Sequence, residues 1–390
     1  MNGNKTGPTR SERPIESWEG TVKSPSPFKE MSILDRLLTP FVLLSMILGV
    51  IIGEFAQGVR EALDTAKLHN VSLPIAIGLI VMMWPILTKV QYEKLPAILS
   101  TSRLWKHIGI SIVLNWIIGP FLMLGLAWAT LPDLPTYRAG VIMVGLARCI
   151  AMVAIWNDLA RGDAEYCAIL VVINGAMQIV LFAPYSVLFL NVIGGSHQED
   201  VHVAYGDVAI SVLIYLGIPL AAGVVTRYSV IFLTNKQFFD KRFIPFFSPI
   251  ALIGLLYTII VLFAYQGHRI LHDLGPVFRV FVPQILYFVI MWTSTFTLIY
   301  YLSRREKVED TIYGYEMAVV QAFTAASNNF ELAIAVSIAV YGVNSQQALA
   351  ATIGPLTEVP VLLGLTWVAL YFRQKLDWTT KAIPLHEEKA

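Results

Sequence analysis

The chain alternates long apolar stretches with short polar ones. Seven stretches contain no Asp, Glu, Lys or Arg: Leu37 to Gly53, Leu68 to Thr88, His107 to Pro132, Tyr166 to Ser196, Val208 to Thr226, Phe243 to His268 and Val280 to Ser303. Most exceed the ~18 apolar residues that mark a membrane-crossing helix. Three more apolar regions carry a charge near mid-span: Thr136 to Ala160 with Arg148, Tyr315 to Tyr341 with Glu331, and Ala348 to Phe372 with Glu358. In chain order these regions predict ten spans and an all-α integral membrane protein.

The polar stretches set the orientation, because Lys and Arg resist translocation and collect on the cytosolic side. With the N-terminus inside, the cytosolic segments hold 22 of the 28 Lys and Arg residues and the outer loops 5, with Arg148 inside span 4 as the remaining one. Both termini are therefore expected in the cytosol. Residues 1–30 mix Pro, Ser, Gly and charges of both signs without an apolar run, which predicts a disordered tail and no signal-peptide core. Residues 374–390 read as a second cytosolic tail. A Ser- and Pro-rich tail without an organelle signal points to the plasma membrane, with the vacuolar membrane as the alternative.

Ten spans divide into two sets of five, over residues 31–195 and 204–373. An odd number per set gives the halves opposite orientations, which is the inverted-repeat plan of many secondary transporters. An offset near 180 residues brings Gly162 to Gly342, Gln178 to Glu358 and Cys149 to Asn329. It pairs span 4 with span 9 and span 5 with span 10. Spans 4 and 9 each hold a small or polar cluster at their centres, GLARC and ASNNFE. A charge at the bilayer centre costs several kcal/mol unless it faces a cavity or a partner. Clusters of this composition are where a membrane helix breaks and bares backbone groups to a substrate or ion. Discontinuous spans 4 and 9 would restart near Cys149 and Asn329, each presenting a partly positive N-terminus to the midplane.

Composition narrows the function. The chain is 56% hydrophobic and 14% charged, where a soluble domain is about a quarter charged, so a soluble enzyme is excluded. A net charge of +1 offers no basic field for nucleic acid. The two cysteines, Cys149 and Cys167, are too few for a disulfide framework, a Cys-rich zinc site or an iron–sulfur cluster. His69, His107, His197, His202, His268, His272 and His386 fall in loops or at span ends without metal-ligand spacing. There is no GxxxxGK[ST], G-x-S-x-G or H-E-x-x-H sequence, so neither ATP hydrolysis nor another hydrolytic activity is indicated, and no cofactor is expected.

The stretches IVMMWPILTKV (80–90), LNWIIGPFLM (114–123), GLARCIAMVAIWNDLARGD (145–163), ASNNFELAIAVSIAVYG (326–342) and ATIGPLTEVPVL (351–362) resemble the arsenite efflux carriers of the arsenical-resistance Acr type, in the bile acid, arsenite and riboflavin transporter superfamily. The likeness runs from about Leu34 to Tyr371. It implies a ten-helix carrier with crossing discontinuous helices 4 and 9 that exports arsenite, and in some members antimonite, in exchange for protons. The family's critical helix 4 cysteine falls on Cys149, the arginine before it on Arg148, and the helix 9 glutamate on Glu331. Asn157, the Asn328–Asn329 pair and Glu358 also match the family pattern.

The chemistry of these residues is compatible with that likeness. Arsenite at neutral pH is mostly the uncharged trihydroxide, and its soft arsenic centre binds sulfur. One thiol with hydroxyl and amide hydrogen bonds suits a carrier, since a site that holds too tightly cannot release. Arsenic is here the cargo of Cys149 and not a resident metal. Arg148 reads either as a substrate contact or as a counter-charge to Glu331 or Glu358. Glu331 has no basic residue in its own helix, which suits reversible proton binding. Glu358, between two prolines, divides evenly between proton path and structural partner, and the three asparagines either line the site or satisfy backbone freed by the breaks. Cys167, in the apolar run of span 5, reads as core, so that its replacement by Ser should leave transport near normal. Two rival readings are a sodium-coupled organic-anion carrier on the same fold and, more remotely, an intramembrane enzyme.

Overall fold

Helix formation follows the apolar stretches. The computed structural model describes residues 37–56, 58–63, 66–68, 71–94, 102–150, 152–194, 202–272, 274–305 and 313–378. The tail at 1–30, most of that at 374–390, and His69, His197 and His386 lie outside the described residues. In chain order the main helices are α1 (Leu38–Phe55), α2 (Leu73–Thr88), α3 (Trp105–Thr130), α4 (Pro135–Leu146), α5 (Met152–Leu159), α6 (Ala164–Ile193), α7 (Tyr205–Leu233), α8 (Pro249–His272), α9 (Leu274–Arg305), α10 (Tyr315–Ala326), α11 (Phe330–Tyr341) and α12 (Gln346–Lys375). Six helical stretches among the described residues are long and apolar enough to cross a membrane: α3, α6, α7, Lys236–Gly267, α9 and α12. α1 and α2 are apolar but shorter. Spans 4 and 9 are each cut into two short helices, α4 with α5 and α10 with α11.

Local chemistry explains the boundaries. Asp163 caps α6 by accepting the Tyr166 N–H (2.8 Å), and Ser345 caps α12 by accepting the Ala348 N–H (3.1 Å). Gly342 ends α11 at φ +87°, a conformation that a side chain resists. Pro120 and Pro219 each follow a wide π-helical turn, Leu114–Ile118 and Leu213–Gly217, which accommodates the hydrogen bond that proline cannot donate.

The helices sort into two groups. α8 packs on α1 and α2, and α2 on α7, while α3 to α6 pack with α9 to α12; the start of α7 also touches α6 and α11. Close approach in the first group depends on small residues, as between helices in lipid, where burial of apolar surface supplies no driving force. Gly49 and Gly53, four residues apart on α1, lie against the α8 backbone, where a Cβ on Gly49 would stand 2.6 Å from the Ile260 carbonyl oxygen. Gly254 of α8 meets α2 at Met82, and Gly223 of α7 meets α2 at Leu87 and Thr88.

At one end of this group, Arg227 of α7 is buried and ties down the turn after α2. Its Nε and Nη2 donate to Glu93 Oε2 (3.0 Å) and Oε1 (2.5 Å), and its Nη1 to the Thr88 and Lys89 carbonyls. Partial burial pushes the Glu93 carboxyl up, but the Arg227 hydrogen bond, its own backbone and the Arg227 and Lys236 charges outweigh this and hold it below the usual carboxylate range. The pair therefore stabilises at neutral pH and weakens as acid protonates Glu93. Arg227→Ala should cost about 2 kcal/mol in thermal denaturation at pH 7, and the gap from wild type should narrow below ~pH 4. An unchanged melting temperature would remove the pair from the fold's stability.

Candidate functional site

The two cut spans meet at their breaks. Helix α4 ends at Leu146 because Ala147 turns extended (φ −82°, ψ 119°), and α10 ends at Ala326 because Ser327 does the same (φ −77°, ψ 144°). The extended residues pair as a single antiparallel bridge, Arg148 with Asn328, and the Asn329 N–H donates to the Ala147 carbonyl (3.0 Å). Backbone groups bared at membrane depth are thus satisfied by the other break. In the ASNNFE cluster the Asn329 side chain takes a backbone N–H of the next helix, as a capping residue does where a helix restarts.

Side chains from the next spans hold each strand. Gln178 of α6 accepts the Arg148 N–H (3.1 Å) and donates to the Arg148 carbonyl (2.7 Å). Glu358 of α12 accepts from the Ser327 hydroxyl (2.6 Å) and the Asn328 N–H (3.2 Å). Residues 180 apart, Gln178 and Glu358, therefore do the same work on Arg148 and Asn328, which are themselves 180 apart. Removing Glu358 leaves two buried donors bare, so Glu358→Ala should cost ~2–4 kcal/mol and Glu358→Gln, which keeps an acceptor, clearly less. Equal thermal stability of the two variants would contradict this.

Each restarting helix has its N-terminus at the crossing. Asn329 caps α11, its side-chain oxygen accepting the Leu332 N–H (3.1 Å). The Cys149 sulfur accepts the Val153 N–H (3.3 Å) in the first turn of α5. Glu331 lies in the first turn of α11, on the partly positive end. Asn328 is buried, and neither atom of its side-chain amide has a hydrogen-bond partner among the described residues.

Arg148 is buried beside the bridge. It donates to the Tyr287 hydroxyl (2.7 Å) and to the Gly145 carbonyl, and Tyr287 in turn donates to the Ala325 carbonyl (3.0 Å). Neither Glu331 nor Glu358 forms an ion pair with it among the described residues, so direct counter-charge pairing, one of the two readings the sequence left open, is not found. The physical reason is the room beside α3: a Cβ at Gly119 would fall 2.7 Å from Arg148 Nη1 and 3.0 Å from the Tyr287 hydroxyl. Gly119, Tyr287 and Ser327 are parts of the site that sequence reading missed. For Gly119 the Gly-Pro pair in LNWIIGPFLM was visible, but nothing in the sequence connected it to Arg148.

A cavity of about 590 Å³ adjoins the crossing, between the two helix groups. Met82, Ile86, Lys89, Val90 and Gln91 come from α2 and the turn after it, and Ser248, Pro249, Ala251, Leu252 and Leu255 from the start of α8. Facing them are Ile150, Met152, Asn157 and Asp158, Cys167 of α6, and Glu331. Of the sequence-predicted residues, then, Asn157 and Glu331 reach the cavity, whereas Arg148, Cys149, Asn328, Asn329 and Glu358 make the crossing behind it. Cys167, read as core, is on the cavity wall. The Asn157 amide lies within hydrogen-bonding reach of the Asp158 carboxyl.

The model of the sodium bile acid symporter family matches residues 76–273, from α2 to the end of α8. An arsenical-resistance protein Acr3 of Corynebacterium glutamicum is 42% identical over 91% of this chain and 93% of its own length. This chain belongs to the sodium bile acid symporter family. Within it, the chain also resembles an arsenical-resistance protein Acr3 of Alkaliphilus metalliredigens, 31% identical over 87% of this chain and 93% of the relative, and an uncharacterized transporter of Synechocystis sp., 33% identical over 85% and 87%. The family model takes in the first break with Arg148 and Cys149 but stops before Glu331 and Glu358. A continuous match over 91% of the chain takes in both breaks.

Proposed function

We propose that this family member is a secondary transporter that exports arsenite in exchange for protons and so confers arsenic resistance, the partners being the metalloid, protons and membrane lipid. The carrying observation is the crossing itself: two broken helices whose N-termini bring Cys149 and Glu331 to one place beside a cavity, in a chain whose relatives include arsenical-resistance proteins over most of its length. The sodium-coupled organic-anion alternative has less support, since the relatives named for a role are named for arsenical resistance.

Ten spans in two inverted sets of five are part of this reading. In its favour, α4 and α10 are each 12 residues long and start and end 180 residues apart, and Arg148 bonds antiparallel to Asn328 at the same offset. With both termini in the cytosol of a plasma-membrane carrier, Lys89, Asp158 and Ser248 are at the cytosolic mouth of the cavity and Glu331 is at its depth.

Each residue then has a task. The Cys149 sulfur is the soft ligand for trivalent arsenic. The Asn157, Asn328 and Asn329 amides hydrogen-bond the arsenic hydroxyls, and Arg148 contributes charge and holds the break through Tyr287. Glu331 carries the exchanged proton: protonated, it leaves a neutral cavity, and deprotonated, it favours reloading from the outer side. Glu358 completes the proton-coupling pair by keeping the span 9 break in place beside Glu331. Rocking of one helix group against the other alternates access to the site.

The experiment is arsenite accumulation in everted vesicles with the pH gradient and sodium varied independently. Accumulation that follows the pH gradient and ignores sodium supports the proposal. Sodium dependence, or no arsenite movement at all, would overturn it.

A further inference from the structure

The helical stretch Lys236–Gly267, whose later part is α8, starts with a segment that has two unlike sides. Asn235 caps it, its side-chain oxygen accepting the Phe238 N–H (2.7 Å). The inner side is aromatic: the rings of Phe239, Phe243 and Phe247 stack in series with centroids 5.6 and 5.0 Å apart, Trp84 of α2 meets Phe247 edge-on (5.5 Å), and the Arg227 guanidinium lies over Phe239 (4.9 Å). The opposite side is open among the described residues. Phe246 is 80% exposed, and Phe238, Lys241 and Arg242 are exposed with it. Just before the segment, at the end of α7, Phe232 and Leu233 are 88% and 78% exposed.

The cations here are of two kinds. Arg227 is bonded to Glu93, and Lys236 lies 3.6 Å from the same carboxylate, so both have structural work. Lys241 and Arg242 make no side-chain hydrogen bond or ion pair among the described residues. Asp240 is the only acid in 234–248, against three basic residues. An exposed phenylalanine is ordinary against lipid tails, and an exposed arginine is ordinary in water. Arg242 stands four residues from Phe238 and four from Phe246, so this side calls for surroundings that offer both. The boundary between acyl chains and headgroups does. At that level the partner for a guanidinium is phosphate, which its planar donors match in pairs, and a headgroup that keeps a net negative charge is attracted more than one neutralised by choline.

We infer that the face formed by Phe238, Lys241, Arg242 and Phe246 is a binding surface for an anionic phospholipid. Arg242 and Lys241 hold the headgroup phosphate, and the two rings lie against the first methylenes of the acyl chains. The surface is separate from the crossing and does not depend on what the carrier moves. It does adjoin the cavity, since Pro245 and Ser248 of the same segment line it. A headgroup held here therefore pins one rim of the cavity to the membrane surface.

The test is made on the full-length protein in detergent, with phosphatidylglycerol or phosphatidylcholine of identical acyl chains added, and reads lipid retained in native mass spectrometry together with the melting temperature. Wild type should prefer phosphatidylglycerol roughly 25-fold, about fivefold for each cation, and should melt higher with it. Lys241→Gln/Arg242→Gln should lose most of that preference, whereas Phe246→Ser should weaken retention of both lipids alike. Arg304→Gln/Arg305→Gln, which removes two exposed cations from the end of α9, should keep the preference, and inorganic phosphate should leave the melting temperature unchanged. The inference is overturned by a wild type without preference, by a preference that survives Lys241→Gln/Arg242→Gln, by an equal loss in the α9 variant, or by phosphate alone reproducing the stabilisation.

Discussion

Cys149→Ser is expected to lower arsenite export at least about a hundredfold, ~2.7 kcal/mol of lost stabilisation, in protein that still folds and reaches the membrane. The fold should survive because the cysteine's structural task is small. Its sulfur accepts the Val153 N–H at 3.3 Å, at the start of α5. A serine hydroxyl is a better helix-capping acceptor than a thiol and occupies slightly less space. What is lost is the soft ligand, for which an oxygen is no substitute at a thiophilic centre. The check is export from cells or vesicles carrying equal amounts of the two proteins. Retention of most of the activity would remove Cys149 from the substrate path, whatever happened to stability.

The second large effect is on coupling. Arsenite is neutral, so under the proposed exchange of one proton in for one arsenite out a positive charge enters the cell, and both the pH gradient and the membrane potential should drive export. A potential of 100 mV supplies about 2.3 kcal/mol per charge and one pH unit about 1.4 kcal/mol, together enough for a gradient of several hundredfold. Glu331 is placed to make that exchange, with its carboxyl at the cavity and at the N-terminus of α11. Glu331→Gln should therefore end accumulation, leaving at most downhill movement, and Glu331→Asp should retain part of it. The measurement is accumulation in vesicles while ionophores collapse the pH gradient and the potential one at a time. A Gln variant that still accumulates arsenite would exclude Glu331 as the coupling group.

Much of this arrangement was legible in the chain. Helical membrane-length segments such as Ala164–Ile193 and Leu274–Arg305 follow from composition alone, because a long apolar run in lipid has few other ways to satisfy its backbone. The breaks were legible too, since Arg148 and Glu331 sit beside small and polar residues at mid-span. What stayed hidden depends on three-dimensional neighbours. Arg148 turned out to bond Tyr287, 139 residues away, in a space left by Gly119 that sequence spacing does not reveal. Cys167 is core, as its apolar helix suggests, and that it also borders the cavity depends on where α2 and α8 lie. Gln178 was matched with Glu358 by offset alone. Their shared task of gripping a backbone strand became visible only with the strands.

The Arg148–Asn328 pairing lies wholly within the group formed by α3 to α6 and α9 to α12. In the alternating access proposed above, sliding of this group past α1, α2, α7 and α8 would open the cavity to one side or the other without separating the paired strands. The crossing then behaves as a fulcrum, and its amide protons provide a clock that turnover does not advance. The Asn329 N–H on Ala147 and the Arg148 N–H on Gln178 should exchange with heavy water as slowly in a cycling carrier as in one at rest, while the Lys89 N–H, at the cavity mouth, should exchange faster once arsenite is supplied.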